Sequence, residues 1–297
     1  MTRWENKHYE RYKVYQMTKQ YLLFTYIIGV LPQSVRPYVF YTLQKLYLFY
    51  SYASTKKISI RNNRNPTKQM LDSRDYFDAN MKRVNNVASY LFDDTSRTCY
   101  YRMIDFRCNN DWTNFPLISK DAYFYNEFFL YDDNEIFVDC GAFNGDTVMK
   151  FKRAMKKQKG DYSRIVAFEP DEKLFNMLTK SYPEVTAIKA GVWSRDDIIT
   201  IDNGVLSIPV KNIDNCHECE GVTLLKMDIE GAEIEALKGA IKTIAKYKPK
   251  LAICIYHSDE DMIKIPEWIH DNFPDYKLFV RQHHKYVISE TVLYGFI

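Results

Sequence analysis

The chain has 297 residues, of which 46% are apolar and 27% charged. That composition excludes a disordered or fibrous polypeptide and leaves one large domain, or one domain with an extension. Net charge is only +3, and no nucleic-acid partner is expected.

The charge is unevenly spread. Residues 1–70 hold twelve Lys/Arg against two Glu, and ten of the 24 tyrosines lie between Tyr9 and Tyr52. This asymmetry marks 1–70 as a basic, Tyr-rich helical extension and linker, with helix on both sides of Pro32 and Pro37. Such a surface suits peripheral contact with an anionic membrane. A helical hairpin packed on the remaining chain, or a contact between copies, is the favoured reading. The apolar run 21–31 is too short to cross a bilayer. Neither a secretory signal nor a disulfide framework is visible among cysteines 99, 108, 140, 216, 219 and 254. A cytoplasmic location is therefore expected, with membrane association through the extension. Residues 58–70, polar and containing Pro66, read as the linker. Residues 71–131 read as a helical subdomain, whose aromatic stretch 121–129 either covers a ligand cleft or packs on it.

From residue 132 onward the pattern becomes α/β. Strands are predicted near 135–140, 164–168, 185–190, 222–228 and 250–256, and helices near 146–157, 171–181, 232–246 and 261–273. That alternation implies a parallel sheet covered on both faces. The last two strands, 276–282 and 291–297, are joined by a short loop and must pair antiparallel, since parallel neighbours need a long crossover. Short extra strands are expected within 198–210.

The first candidate site is the turn after strand 135–140, Asp139-Cys140-Gly141-Ala142-Phe143-Asn144-Gly145-Asp146-Thr147. Its two glycines allow a ligand to approach backbone amides at a helix N-terminus. With no third glycine it is not a dinucleotide fingerprint, which disfavours a nicotinamide-dependent oxidoreductase. Asp139 and Asp146 repel phosphate but suit an amino group or a sulfonium, and S-adenosylmethionine carries both. Asp146 serves as a helix-end acid equally well. Glu169, followed by Pro170, ends the next strand, where an acid can accept both ribose hydroxyls.

Asp228 ends a third strand, with Glu230 and Gly231 in the turn beyond it, and Lys226 inside that strand calls for a buried acidic partner. His257 follows the fourth strand at the same sheet edge and is the first candidate for general base, with Asp228 second. A divalent ion held by Asp228 and Glu230 is a further option with no other support. His283, His284 and Arg281 near the last turn are acceptor-contact candidates. Trp193 and Phe143 either flank an adenine or pack in the core. The pair Cys216–Cys219, a lone CxxC, is a weak zinc signal.

Together these residues resemble the FkbM-type family of S-adenosylmethionine-dependent methyltransferases over about 132–297. The likeness rests on Phe-Val-Asp-Cys-Gly-Ala-Phe-Asn-Gly-Asp-Thr, Ala-Phe-Glu-Pro-Asp, Lys-Met-Asp-Ile-Glu-Gly-Ala-Glu, Ile-Cys-Ile-Tyr-His and Glu-Thr-Val-Leu-Tyr. It implies a class I methyltransferase fold, Rossmann-like and seven-stranded, with S-adenosyl-L-methionine as cofactor. It also implies methyl transfer to an oxygen, often a hydroxyl of a sugar or polyketide. Tyr256-His257 followed by Ile265-Pro266 is similar to members found with bacterial surface-polysaccharide biosynthesis, which makes a sugar or glycan the expected acceptor. The alternative is a non-catalytic module of the same fold that scaffolds glycan assembly. Oligomeric state is not legible.

Overall fold

The computed structural model describes residues 66–109, 114–124, 128–131, 133–201, 206–284 and 289–297. The chain divides into two units, Met1–Pro66 and Thr67–Ile297. The expectations for the basic extension and its membrane contact fall outside the described residues. Among those described, no helix is long and apolar enough to cross a membrane.

Three helices open the described chain: α1 (Pro66–Ala79), α2 (Met81–Tyr90) and α3 (Asp94–Asn109). Pro66 begins α1, so the linker expected over 58–70 gives way to helix at 66. Proline fits a first helical position because its missing N–H would have no intrahelical partner there. The helical expectation for 71–131 ends at Asn109. Beyond it the described residues are irregular, and Asp121 and Tyr123 hold left-handed backbone (φ 60° and 67°) incompatible with a helix.

The α/β part comprises β1 (Glu135–Cys140), α4 (Asp146–Gln158), β2 (Tyr162–Phe168), α5 (Glu172–Ser181), β3 (Thr186–Ile188), β4 (Gly191–Val192), β5 (Asp197–Ile201), β6 (Leu206–Lys211), β7 (Leu224–Met227), α6 (Glu233–Lys238), α7 (Ile241–Tyr247), β8 (Lys250–Cys254), α8 (Asp261–Asn272), β9 (Lys277–Gln282) and β10 (Thr291–Phe296). The seven-stranded sheet runs β3-β2-β1-β7-β8-β10-β9. Its first five strands are parallel, and β10 is antiparallel to both β8 and β9. This is the class I methyltransferase arrangement. The extra strands form a separate small sheet, β4-β6-β5.

The helix expected over 232–246 is broken in two around Gly239 and Ala240. A Cβ on Gly239 would sit 2.1 Å from the Trp193 carbonyl oxygen, so this contact with the small sheet requires glycine.

Alternation along the strands splits the core between the two sheet faces. Val138, Cys140, Leu225 and Met227 join one buried cluster with residues of α2, α3 and α8. Phe137 and Leu224 join the other with α4 and the aromatic segment around Phe124 and Phe129. On that second face Asp139 and Lys226 lie opposite each other in the β1–β7 register.

Candidate active site

The turn after β1 is built by close approach. Gly141 has φ 84°, and a Cβ there would lie 2.0 Å from the Asp228 carbonyl oxygen. The Asp228 N–H in turn donates to the Cys140 carbonyl at 3.1 Å. Glycine therefore lets the ends of β1 and β7 touch. The turn's amides, expected to be bare, are largely occupied. Gly141 and Ala142 donate to the Phe168 carbonyl, and Gly145 donates to that of Ala142. Asp146 N–H donates to Asn144 Oδ1 at 3.2 Å. Thr147 is buried in the first turn of α4.

Glu169 joins this turn directly. Its Oε2 accepts from the Phe143 N–H and its Oε1 from the Asp171 N–H, both at 2.9 Å. Burial pushes its carboxyl above the usual range, with the two amides pulling back. Each oxygen keeps a further lone pair, so the fixed carboxylate can still accept two ribose hydroxyls. Pro170 follows, half-buried. Phe143 has left-handed backbone (φ 52°) and leaves 51% of its surface exposed beside this acid. Strain of this kind concentrates at functional sites.

Asp139 does not reach the cleft. It is fully buried and pairs with Lys226, Nζ to Oδ1 at 2.9 Å. The same Nζ donates to the Gly141 carbonyl at 2.8 Å, so the pair anchors the turn from beneath. Burial lowers the Lys226 pKa, but the Asp139 and Asp228 carboxylates outweigh it and hold the ammonium charged. A direct contact of Asp139 with a donor amino group is thereby excluded. Asp146 is the turn's partly exposed acid, paired with Lys150 at 3.0 Å.

Asp228 is the hub of the other half. Its Oδ2 accepts from the Tyr123 hydroxyl at 2.9 Å. Its Oδ1 accepts from the Tyr256 hydroxyl at 2.9 Å and from His257 Nε2 at 3.0 Å. Burial pushes its carboxyl up, but the His257 hydrogen bond and the Lys226 charge hold it well below the usual range. His257 Nε2 also lies 3.2 Å from Glu233 Oε1. Burial pulls the imidazole down, yet Asp228 and Glu233 outweigh it and raise the pKa to about 10. His257 is therefore an imidazolium at neutral pH, which removes it as general base. Glu233 is completely buried, with Oε1 accepting from the Ile229 N–H at 2.8 Å and Oε2 without a hydrogen-bond partner.

A metal does not fit. Asp228, Cys254 and His257 are the one cluster of ligand-type atoms among the described residues. However, the Asp228 oxygens already receive three donors, and burial holds the Cys254 thiol neutral. The Glu230 side chain is 89% exposed, and its Oε2 lies 3.9 Å from His257 Nδ1. The option of Asp228 with Glu230 is thereby set aside. The CxxC supplies no metal cluster either: the Cys216 thiol donates to Glu218 at 3.1 Å.

The remaining candidates make the following contacts. Trp193 follows β4 in the small sheet, where its N–H donates to the Lys211 carbonyl. Arg281 is buried and grips Asp93 at 2.7 Å and Ser96 at 2.8 Å, so it ties β9 to α3. His283 donates from Nδ1 to the Ser119 carbonyl and accepts from the Tyr294 hydroxyl at 2.7 Å. Burial lowers its pKa to about 4. The His284 carbonyl accepts from Gln282. Sequence reasoning missed Tyr123, Tyr256 and Glu233. The last two sit inside quoted motifs, whereas Tyr123 carried only the signal of an aromatic stretch.

The whole arrangement lies at the carboxyl ends of the parallel strands, where open α/β sheets bind ligands. Its acids outnumber its cations, which suits a positively charged ligand. Residues 185–286 match the family model described as the methyltransferase FkbM domain. No curated protein matches the chain significantly. Methyltransferase FkbM from Methylobacillus flagellatus KT superposes with a TM-score of 0.66 at 28% identity, over 74% of this chain and 60% of that one. This chain thus spans less than two thirds of that protein's length. An rRNA methylase from Streptococcus thermophilus gives a TM-score of 0.36 at 15% identity, over 56% and 86% of the two chains. Fibrillarin from Aeropyrum pernix, solved with natively bound S-adenosyl-L-methionine, gives 0.35 at 13% identity, over 56% and 67%. Residues 185–286 are thus similar to the methyltransferase FkbM domain, and the chain shares the fold of the Methylobacillus flagellatus methyltransferase FkbM.

Proposed function

We propose that this chain is an S-adenosylmethionine-dependent O-methyltransferase acting on a hydroxyl of a sugar or glycan precursor in bacterial surface-polysaccharide assembly. The observation that carries it is the continuous run of the Gly141 turn, Glu169 and Asp228 along three neighbouring strand ends. When bound, the cofactor supplies an electrophilic methyl group on a sulfonium. Glu169 accepts the ribose hydroxyls with its two remaining lone pairs. Phe143 offers an apolar ring beside them, and the acids around Asp228 favour the positive charge. Asp228 Oδ2, which receives only the Tyr123 hydroxyl, takes the acceptor's proton on its remaining lone pair. A carboxylate with a depressed pKa is a weak base, but a hydroxyl becomes strongly acidic as its oxygen bonds to carbon, so a late transfer suffices. Tyr123, Tyr256 and His257 fix the carboxylate, and alignment of the two reactants supplies most of the rate.

The test is incubation of the full chain with labelled methyl donor and the host's glycan precursors, followed by mass spectrometry. A single added methyl on a glycan oxygen is expected. Tight donor binding without transfer to any glycan precursor would overturn the O-methyltransferase reading and favour a non-catalytic scaffold.

A further inference from the structure

The segment 256–259, which contains Tyr256 and His257, is tied at its two ends to helices that precede the sheet in sequence. Arg107, in the last turn of α3, has a side chain only 6% exposed. Its Nη1 donates to Asp259 Oδ1 at 2.7 Å, and its Nη2 donates to the Tyr256 carbonyl. The other oxygen of Asp259 accepts from Ser73 Oγ of α1 at 2.6 Å. One guanidinium thus grips both ends of the segment 256–259, and the two residues at its start both contact Asp228.

We propose that Arg107 is a positioning residue for methyl transfer, holding this segment so that the Tyr256 hydroxyl and the His257 ring meet Asp228. The proposal rests on the methyltransferase reading of the site. The helical layer has other tethers besides Arg107. Arg83 pairs with Glu267 at 2.5 Å, and Arg281 pairs with Asp93 at 2.7 Å, both away from the segment. Burying a guanidinium carries a desolvation cost, and here Nε is left buried without a hydrogen-bond partner. A fork aimed at one carboxylate and one carbonyl uses the geometry that separates arginine from lysine.

The experiment uses the full chain and the variants Arg107→Lys and Asp259→Asn. Lysine keeps the charge and most of the stem but cannot span both acceptors. Three readouts are taken: the ring resonances of His257 by NMR at fixed pH, calorimetric affinity for S-adenosylhomocysteine, and turnover with labelled donor and glycan precursors. In both variants the His257 resonances should move and turnover should fall at least about tenfold, with the donor KM and S-adenosylhomocysteine affinity within about twofold. Unmoved resonances with intact turnover overturn the proposal. Parallel loss of turnover and S-adenosylhomocysteine affinity overturns it as well, by assigning Arg107 to general packing. Failure of the wild-type chain to bind S-adenosylhomocysteine sinks the methyltransferase reading instead, and the His257 resonances still report on the grip.

Discussion

Replacing Lys226 by Met probes the buried layer under the glycine turn. Asp139 would be left fully buried, with no hydrogen-bond partner for either carboxylate oxygen. Removing one member of a buried pair costs about 3–5 kcal/mol, whereas replacing both by apolar residues of similar volume is often neutral. Denaturant unfolding at pH 7 should show that loss for Lys226→Met and its recovery in Lys226→Met/Asp139→Val. Burial already raises the Asp139 pKa above the ordinary carboxylate value against the pull of Lys226. Without the lysine it rises further, so the folded state binds the proton more readily than the unfolded chain. The deficit of the single variant should therefore shrink as pH falls from 7. The double variant should not regain ligand affinity, because the Nζ that donated to the Gly141 carbonyl at 2.8 Å is gone. A charge-assisted hydrogen bond contributes about 1.5–3 kcal/mol, so calorimetry should find S-adenosylhomocysteine bound roughly ten- to hundredfold more weakly. A single variant within about 1 kcal/mol of wild type, or a double variant no more stable than the single, would refute the reasoning.

Further outcomes concern the Asp228 hub. With His257 at a pKa of about 10, turnover should show no acid limb near 6.5 and should fall as pH rises toward 10. The stability contributed by the charged ring is complete below its unfolded pKa of about 6.5 and is lost as pH rises through 10. An acid limb near 6.5 in steady-state rates would restore His257 as the base. Tyr123→Phe keeps the buried ring and removes one donor to Asp228. Turnover should fall about tenfold with a stability change of about 1 kcal/mol, and unchanged turnover would remove Tyr123 from the site.

Much of the α/β part was legible because its signals are local. The strand at 135–140, the helix beginning at Asp146 and the antiparallel ending all follow from periodicity, turn residues and loop length. The strand-end positions of Glu169 and Asp228 were legible too, and the β2-β1-β7 order of the sheet brings them together with Gly141. What the sequence concealed depends on contacts between distant segments. Lys226 demanded an acid, but only the β1–β7 register selects Asp139 and removes it from the cleft. His257 looked like a base until two carboxylates were found at Nε2. Tyr123 reaches Asp228 from a segment 105 residues away, through a backbone conformation that no helical pattern foretells. Arg281, a candidate anion contact, spends its charge on Asp93 of the helical layer.

The most direct measurement is calorimetric binding of S-adenosylmethionine to the wild-type chain and to Glu169→Gln. An amide can turn only its oxygen toward one of the two backbone donors at Phe143 and Asp171, so the substitution disturbs the turn and removes the ribose acceptor together. Wild type should bind, and the variant should bind more weakly by about 1.5–3 kcal/mol. Equal affinity for the two proteins, or no binding by wild type, would contradict a nucleoside held between the Gly141 turn and Glu169.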